Sequence, residues 1–198
     1  MRSAALFLVV TVCTLTACAY RDINPEAAAA DERANNGYDA LRSVEPGTAK
    51  LVLRARGAGY PAHFSVSASP QVCRDFVPSG YVAYSGRGIV LPWIARMNER
   101  TRSAVTGQQP YLVHEAKPGL PLQVRGYGYI QDGHGGLARF RHCGPAVVRF
   151  TPEQGRAYTV EFIWSGNAAC GLAVMDATAP DAPVPVPAEV IEDCPAPG

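Results

Sequence analysis

The chain has 198 residues, 18 Lys and Arg against 17 Asp and Glu, a formal net charge of +1 and 47% apolar side chains. The length suits one domain with a real core, and the near balance of charge gives no reason to expect nucleic acid as a partner. No later apolar run approaches the roughly 20 residues needed to span a bilayer as a helix. Charge is spread unevenly: residues 50–156 carry 14 Lys/Arg and 5 Asp/Glu, residues 19–49 carry 3 and 6, and residues 157–198 carry none and 6. A basic middle between acidic ends is expected to be covered by its own acidic tail, and it would otherwise suit an anionic partner.

Arg2 gives a short positive start, and Ala4 to Leu15 form a 12-residue apolar run. That run is too short to span a bilayer and fits a cleaved export signal over residues 1–17. Leu15-Thr16-Ala17-Cys18 resembles the lipobox of small Gram-negative bacterial lipoproteins. The resemblance implies that Cys18 is lipidated on its sulfur and that the chain is cut just before it, leaving 181 residues. Stable anchoring follows from multiple acyl chains, since each buried CH₂ contributes about 0.8 kcal/mol. Ala19, in place of Asp, resembles the sorting signal for the outer membrane, with the domain facing the periplasm.

Residues 18–47 are expected to be a lipidated tether. Asn24-Pro25-Glu26 can cap and start a short helix through Ala34, which Asn35-Asn36-Gly37 ends. It has no apolar face for a core. From residue 48 the hydrophobic period changes to two. Strands are predicted at Lys50–Arg56, Phe64–Ala68, Tyr81–Tyr84, Ile89–Ile94, Tyr111–Glu115, Leu122–Tyr129, Ala146–Phe150, Tyr158–Trp164 and Cys170–Met175. Arg96–Gly107 reads as a charged loop. Short strands with Gly/Pro/Ser/Asn punctuation and little helix predict an all-β fold, a single antiparallel β-sandwich over residues 48–178. Residues 179–198, with Pro180, Pro183, Pro185 and Pro187, read as an extended Pro-rich strap.

Cys13 is lost with the signal and Cys18 carries lipid, so Cys73, Cys143, Cys170 and Cys194 remain. An even number in an exported chain reads as two disulfides, for which three connectivities exist. Cys143–Cys170 and Cys73–Cys194 are favoured. The first pair brackets the strongest strand region, and the second ties the tail back to the domain. No paired cysteine–histidine spacing suggests zinc.

Phe150-Thr151-Pro152-Glu153-Gln154-Gly155-Arg156-Ala157-Tyr158-Thr159-Val160-Glu161-Phe162, with Cys143 before it and Cys170 after it, resembles the C-terminal hairpin of small bacterial lipoproteins. It is also similar to the corner before a late strand in immunoglobulin-like and transthyretin-like sandwiches. The resemblance implies that Tyr158 hydrogen-bonds back across the corner, and it carries no catalytic residue.

Neither G-x-S-x-G nor H-E-x-x-H is present, and no Gly-rich loop precedes a helix. An enzyme, a cofactor and a metal are therefore not expected. Asp132, His134 and His142 would make the one metal-holding trio if a hairpin gathered them, but Asp132-Gly133-His134-Gly135-Gly136 reads more simply as turn chemistry. His63 and His114 read as surface or satisfied core groups. Arg125, Tyr127 and Tyr129 share one strand face and are the candidate ligand-binding residues, or else they fill the core with Gly126 and Gly128 opposite. Arg96, Arg100 and Arg102 are candidates for lipopolysaccharide phosphates. The leading expectation is a non-enzymatic accessory subunit that engages an envelope protein through its sandwich surface or edges. A glycan- or polyanion-binding module, for peptidoglycan or lipopolysaccharide, is the alternative, and a metal-dependent enzyme is third.

Overall fold

A computed structural model describes residues 37–56, 61–83, 109–132, 139–165 and 169–195. The signal region, Cys18, the Asn24–Ala34 helix, the Ile89–Ile94 strand, the Arg96–Gly107 loop and His134 lie outside the described residues. In chain order the strands are β1 (Ala49–Arg56), β2 (Ala62–Ser67), β3 (Val77–Val82), β4 (Tyr111–Ala116), β5 (Leu122–Asp132), β6 (Arg139–Phe150), β7 (Ala157–Trp164), β8 (Cys170–Asp176), β9 (Val184–Pro185) and β10 (Glu189–Ile191). They form two five-stranded sheets, ordered β4-β1-β7-β8-β9 and β10-β6-β5-β2-β3. The fold is the expected all-β sandwich. Among the described residues no helix is long and apolar enough to cross a membrane.

Among the described strands the ladders are antiparallel except that β1 runs parallel to β7, with Leu51 opposite Tyr158 and Leu53 opposite Val160. A parallel pair needs a long crossover, and the chain between Arg56 and Ala157 supplies it by building the second sheet on the way. The period-two pattern then sets the core. Leu51, Leu53, Phe64, Val124, Val148, Tyr158, Val160 and Phe162 all lie between the sheets. Each such side chain contributes about 1.5–3 kcal/mol relative to exposure.

The outer face of the first sheet is also covered, which local alternation does not reveal. A single helical turn, Tyr38–Leu41, lies on it, and Leu41 buries against Val52, Ala157 and Ala177. Lys50 is buried there, and its Nζ donates to the Ser43 carbonyl. Glu161 is 5% exposed and is paired with Arg54, with Arg56 at 3.7 Å. Residues 37–44, read from sequence as tether, therefore pack on the domain.

Both sides of the sandwich are tied. On one side the Ala83 N–H donates to the Gln109 carbonyl at 2.9 Å, joining the end of β3 to the start of β4. On the other, the Cys143–Cys170 disulfide links β6 to β8, with Cα atoms 5.9 Å apart. The Pro-rich strap runs over this second side, where β9 pairs with β8 and β10 with β6. The Cys73–Cys194 disulfide then fixes its end. The two pairings are those favoured from the sequence. Proline is accommodated because β9 lies at a sheet edge. The same reason explains why β3 starts at Val77, four residues before the predicted Tyr81: Pro78 sits on an edge strand.

The corner motif folds as its resemblance implies. The Glu153 N–H donates to the Tyr158 hydroxyl at 2.9 Å, and the Phe150 ring stands edge-on to Tyr158 at 5.3 Å. Burial pushes the Tyr158 hydroxyl pKa up, ahead of the opposing effect of that hydrogen bond.

The sheets approach closely at Gly126 and Gly128 of β5. A Cβ at Gly126 would lie 2.5 Å from Phe162 Cδ2, and one at Gly128 would overlap the Trp164 ring. Both glycines are buried, and the Phe162 and Trp164 rings meet edge-on at 5.4 Å. By contrast, nothing lies within 4 Å of a Cβ added at Gly171 of β8. Gly128→Ala should therefore lower stability by about 1–3 kcal/mol through overpacking, whereas Gly171→Ala should stay within about 0.5 kcal/mol of the parent. Urea denaturation of the two variants checks this pair.

Candidate binding face

The glycine notch decides which way the neighbouring residues of β5 face. With Gly126 and Gly128 turned to the core, Arg125, Tyr127 and Tyr129 are on the outer face of the second sheet. Of the two sequence alternatives, the outward one holds. This face divides into a covered end and an open end.

The β2–β3 loop covers the first end, and Gln123 pins it. Gln123 is fully buried. Its Oε1 accepts the Cys73 N–H at 2.8 Å, and its Nε2 donates to the carbonyls of Ser69 at 3.0 Å and Gln71 at 2.8 Å. The Ser67 hydroxyl adds a bond to the Arg74 carbonyl at 2.5 Å. These contacts hold Cys73 and Asp75 in the left-handed region, with φ of 59° and 55°, a conformation costly for residues other than glycine. The loop delivers Phe76 beneath Arg125, whose guanidinium carbon lies 4.4 Å from the ring centre.

The open end carries a row of rings from four strands. Register places Tyr81 of β3 opposite His63 of β2, His63 opposite Tyr127, and Tyr129 opposite His142 of β6. The Tyr81 and His63 rings are 4.6 Å apart, and His142 is 5.7 Å from Tyr127 and 5.3 Å from Tyr129. The Tyr127 hydroxyl and His142 Nδ1 share a hydrogen bond of 2.6 Å. A bulge makes this possible. The β5–β6 register shifts between Gly126 and Gly128, where a cis Gly144–Pro145 peptide lies opposite Tyr127. Bulges re-aim a side chain in this way. Tyr81 is 54% exposed, Tyr129 is 40% exposed, and His142 is also exposed.

Burial first, and then the nearby Arg125 charge, hold the His63 pKa below its ordinary value. Burial also lowers His114, against an opposing effect of Glu115. Burial alone lowers the Arg125 pKa. Among the described residues no three His, Cys, Asp or Glu side chains gather to hold a metal ion. Asp132 pairs with Arg139 at the far end of the hairpin, three residues beyond Tyr129 and so about 10 Å along the strand from the His142 register position.

Sequence alone singles out Arg125, Tyr127 and Tyr129 on this face, reads His63 as a surface or satisfied core group, weighs His142 only as a metal ligand, and proposes no role for Tyr81, Phe76 or Gln123. His63 had one available signal, its place between Ala62 and Phe64 on the polar phase of β2. The remaining signals depend on register. Comparison of the chain with protein-family models, curated proteins and solved structures returns no match.

Two outcomes are expected. Gln123→Leu leaves the Cys73 N–H and two carbonyls without their buried partner. It should cost about 1–3 kcal/mol and speed amide exchange at Cys73, read by hydrogen exchange. The second concerns pH. Because the folded pKa values of His63 and His114 lie below 6.5, the unfolded chain takes up protons first as pH falls. Their contribution to stability is intact above that value and is lost as pH drops through it. Denaturation at pH 7.5 and pH 5 should show this fall, and a His63→Gln/His114→Gln variant should show less of it.

Proposed function

We propose that this chain is a lipid-anchored envelope protein, held to the outer membrane through Cys18 and facing the periplasm. It acts there as a non-enzymatic accessory or binding subunit that engages another envelope component through its β-sandwich. The observation that carries this reading is the open row Tyr81, His63, Tyr127, His142 and Tyr129 on the second sheet. Amphipathic rings provide large contact area at small entropic cost, and they are the side chains that most often anchor recognition. The framework suits that task. Two disulfides, a pinned loop and a strap hold the face rigid, so little ordering is needed on binding. Two cystines also suit an exported setting.

A photo-reactive phenylalanine analogue placed at Tyr129 tests the face in intact cells, with the same analogue at exposed Lys117 as the control. An adduct at position 129 that is absent at position 117 is expected; equal labelling, or none, counts against the face. In the same cells Cys18→Ser should move the protein from the membrane fraction to soluble or unprocessed forms. Unchanged membrane attachment and processing would remove the anchor.

A further inference from the structure

The row of rings does not by itself choose between a protein and a sugar; the charge beside it does. Arg125 is half-buried, and its guanidinium lies on Phe76. It forms no ion pair with a carboxylate among the described residues. A cation withdrawn from water without a counter-ion is costly, and an anionic group arriving with a ligand offsets that cost. The members of the ring row add no carboxylate. Tyr81 approaches from β3, His63 from β2, Tyr127 and Tyr129 from β5, and His142 from β6. Burial first, and then the Arg125 charge, keep His63 below its ordinary pKa, so the imidazole adds no counter-charge to Arg125.

The rings also favour a hydroxylated ligand over an aliphatic one. Every member of the row has an apolar face and a polar edge, with three tyrosine hydroxyls and two imidazoles. The faces can stack on the C–H side of a sugar ring, since aromatic faces are negative and C–H groups carry slight positive charge. The edges can exchange hydrogen bonds with its hydroxyls. From β3 to β6 the row crosses three strand spacings, about 14 Å, which is room for a short oligosaccharide. One guanidinium offers one planar fork, matched to a single carboxylate. Resting on the reading of this face as the binding surface, we infer that it takes a carboxylate-bearing oligosaccharide, with sugar rings on the Tyr81–Tyr129 row and one carboxylate on Arg125.

The test is titration calorimetry of the full-length lipidated protein in detergent micelles with a galacturonic acid trisaccharide and with its methyl ester. The free acid should bind, and the ester should bind about tenfold more weakly or worse, because the charge-assisted hydrogen bonds to Arg125 are lost. Higher ionic strength should weaken the acid and leave the ester little changed. Arg125→Gln should reduce acid binding to the level of the ester, Tyr129→Ala should weaken both ligands, and Arg156→Gln, on a distant salt bridge, should change neither. Acid and ester binding alike, or an unaffected Arg125→Gln, overturns the inference. The acid–ester comparison uses the parent protein, so it stands even where Arg125→Gln disturbs folding. Failure to bind the trisaccharide while Tyr129 still gives its specific adduct in cells rejects the saccharide and leaves the binding face; loss of both rejects the two together.

Discussion

Phe162 and Trp164 reach from one sheet into the space left by Gly126 and Gly128 in the other, and this contact fixes how the molecule is arranged. The two rings need the two missing side chains, because any Cβ on β5 at those positions would occupy the same volume. The pleat then has no freedom left: if 126 and 128 face inward, then 125, 127 and 129 face out. Core packing and the composition of the exposed face are thus consequences of one register. A slip of one residue would put two tyrosines and an arginine between the sheets and expose two glycines.

Around that contact the chain covers what a bare sandwich would leave open. The Tyr38–Leu41 turn lies over the first sheet and covers Val52 and Ala157, and Lys50 and Glu161 on the same outer face are buried as well, positions that strict alternation would leave in water. Each charge is met: Lys50 by the Ser43 carbonyl, and Glu161 by Arg54 and Arg56. A buried charge without such a partner would destabilise the sheet by several kcal/mol. The strap closes the β6/β8 side, with its end fixed through Cys194 to the loop that Gln123 organises. That loop places Phe76 under Arg125. The tail, the loop and the outer face at Arg125 are therefore linked, although they lie far apart in sequence.

Arg125 differs from Arg54, Arg149 and Arg156 in its partners. Arg54, Arg149 and Arg156 each reach a carboxylate, whereas Arg125 rests on the Phe76 ring, near His63. Among the described residues Arg125 has no carboxylate partner, and this is the feature on which the proposed anionic ligand rests.

The amino-acid sequence by itself determined the all-β class, the inward residues of β1, β2 and β7, the corner at Pro152–Tyr158 and the number of disulfides. All of these rest on local rules: side chains alternate along a strand, glycine and proline shape turns, and an even set of cysteines can pair. It also determined that Arg125, Tyr127 and Tyr129 share a face. Which side of the sheet that face takes was decided only by tertiary structure, because Gly126 and Gly128 are compatible with either side until Phe162 and Trp164 arrive from the opposite sheet. The same holds for the row. Tyr81, His63 and His142 come from strands whose register is set by long-range pairing and by a bulge in β6 opposite Tyr127, and no periodicity within a single strand encodes its neighbours. The parallel β1–β7 pair and the covered outer face of the first sheet are of the same kind: contacts between segments about a hundred residues apart, or between a helical turn and a sheet, which exist only once the whole chain has folded.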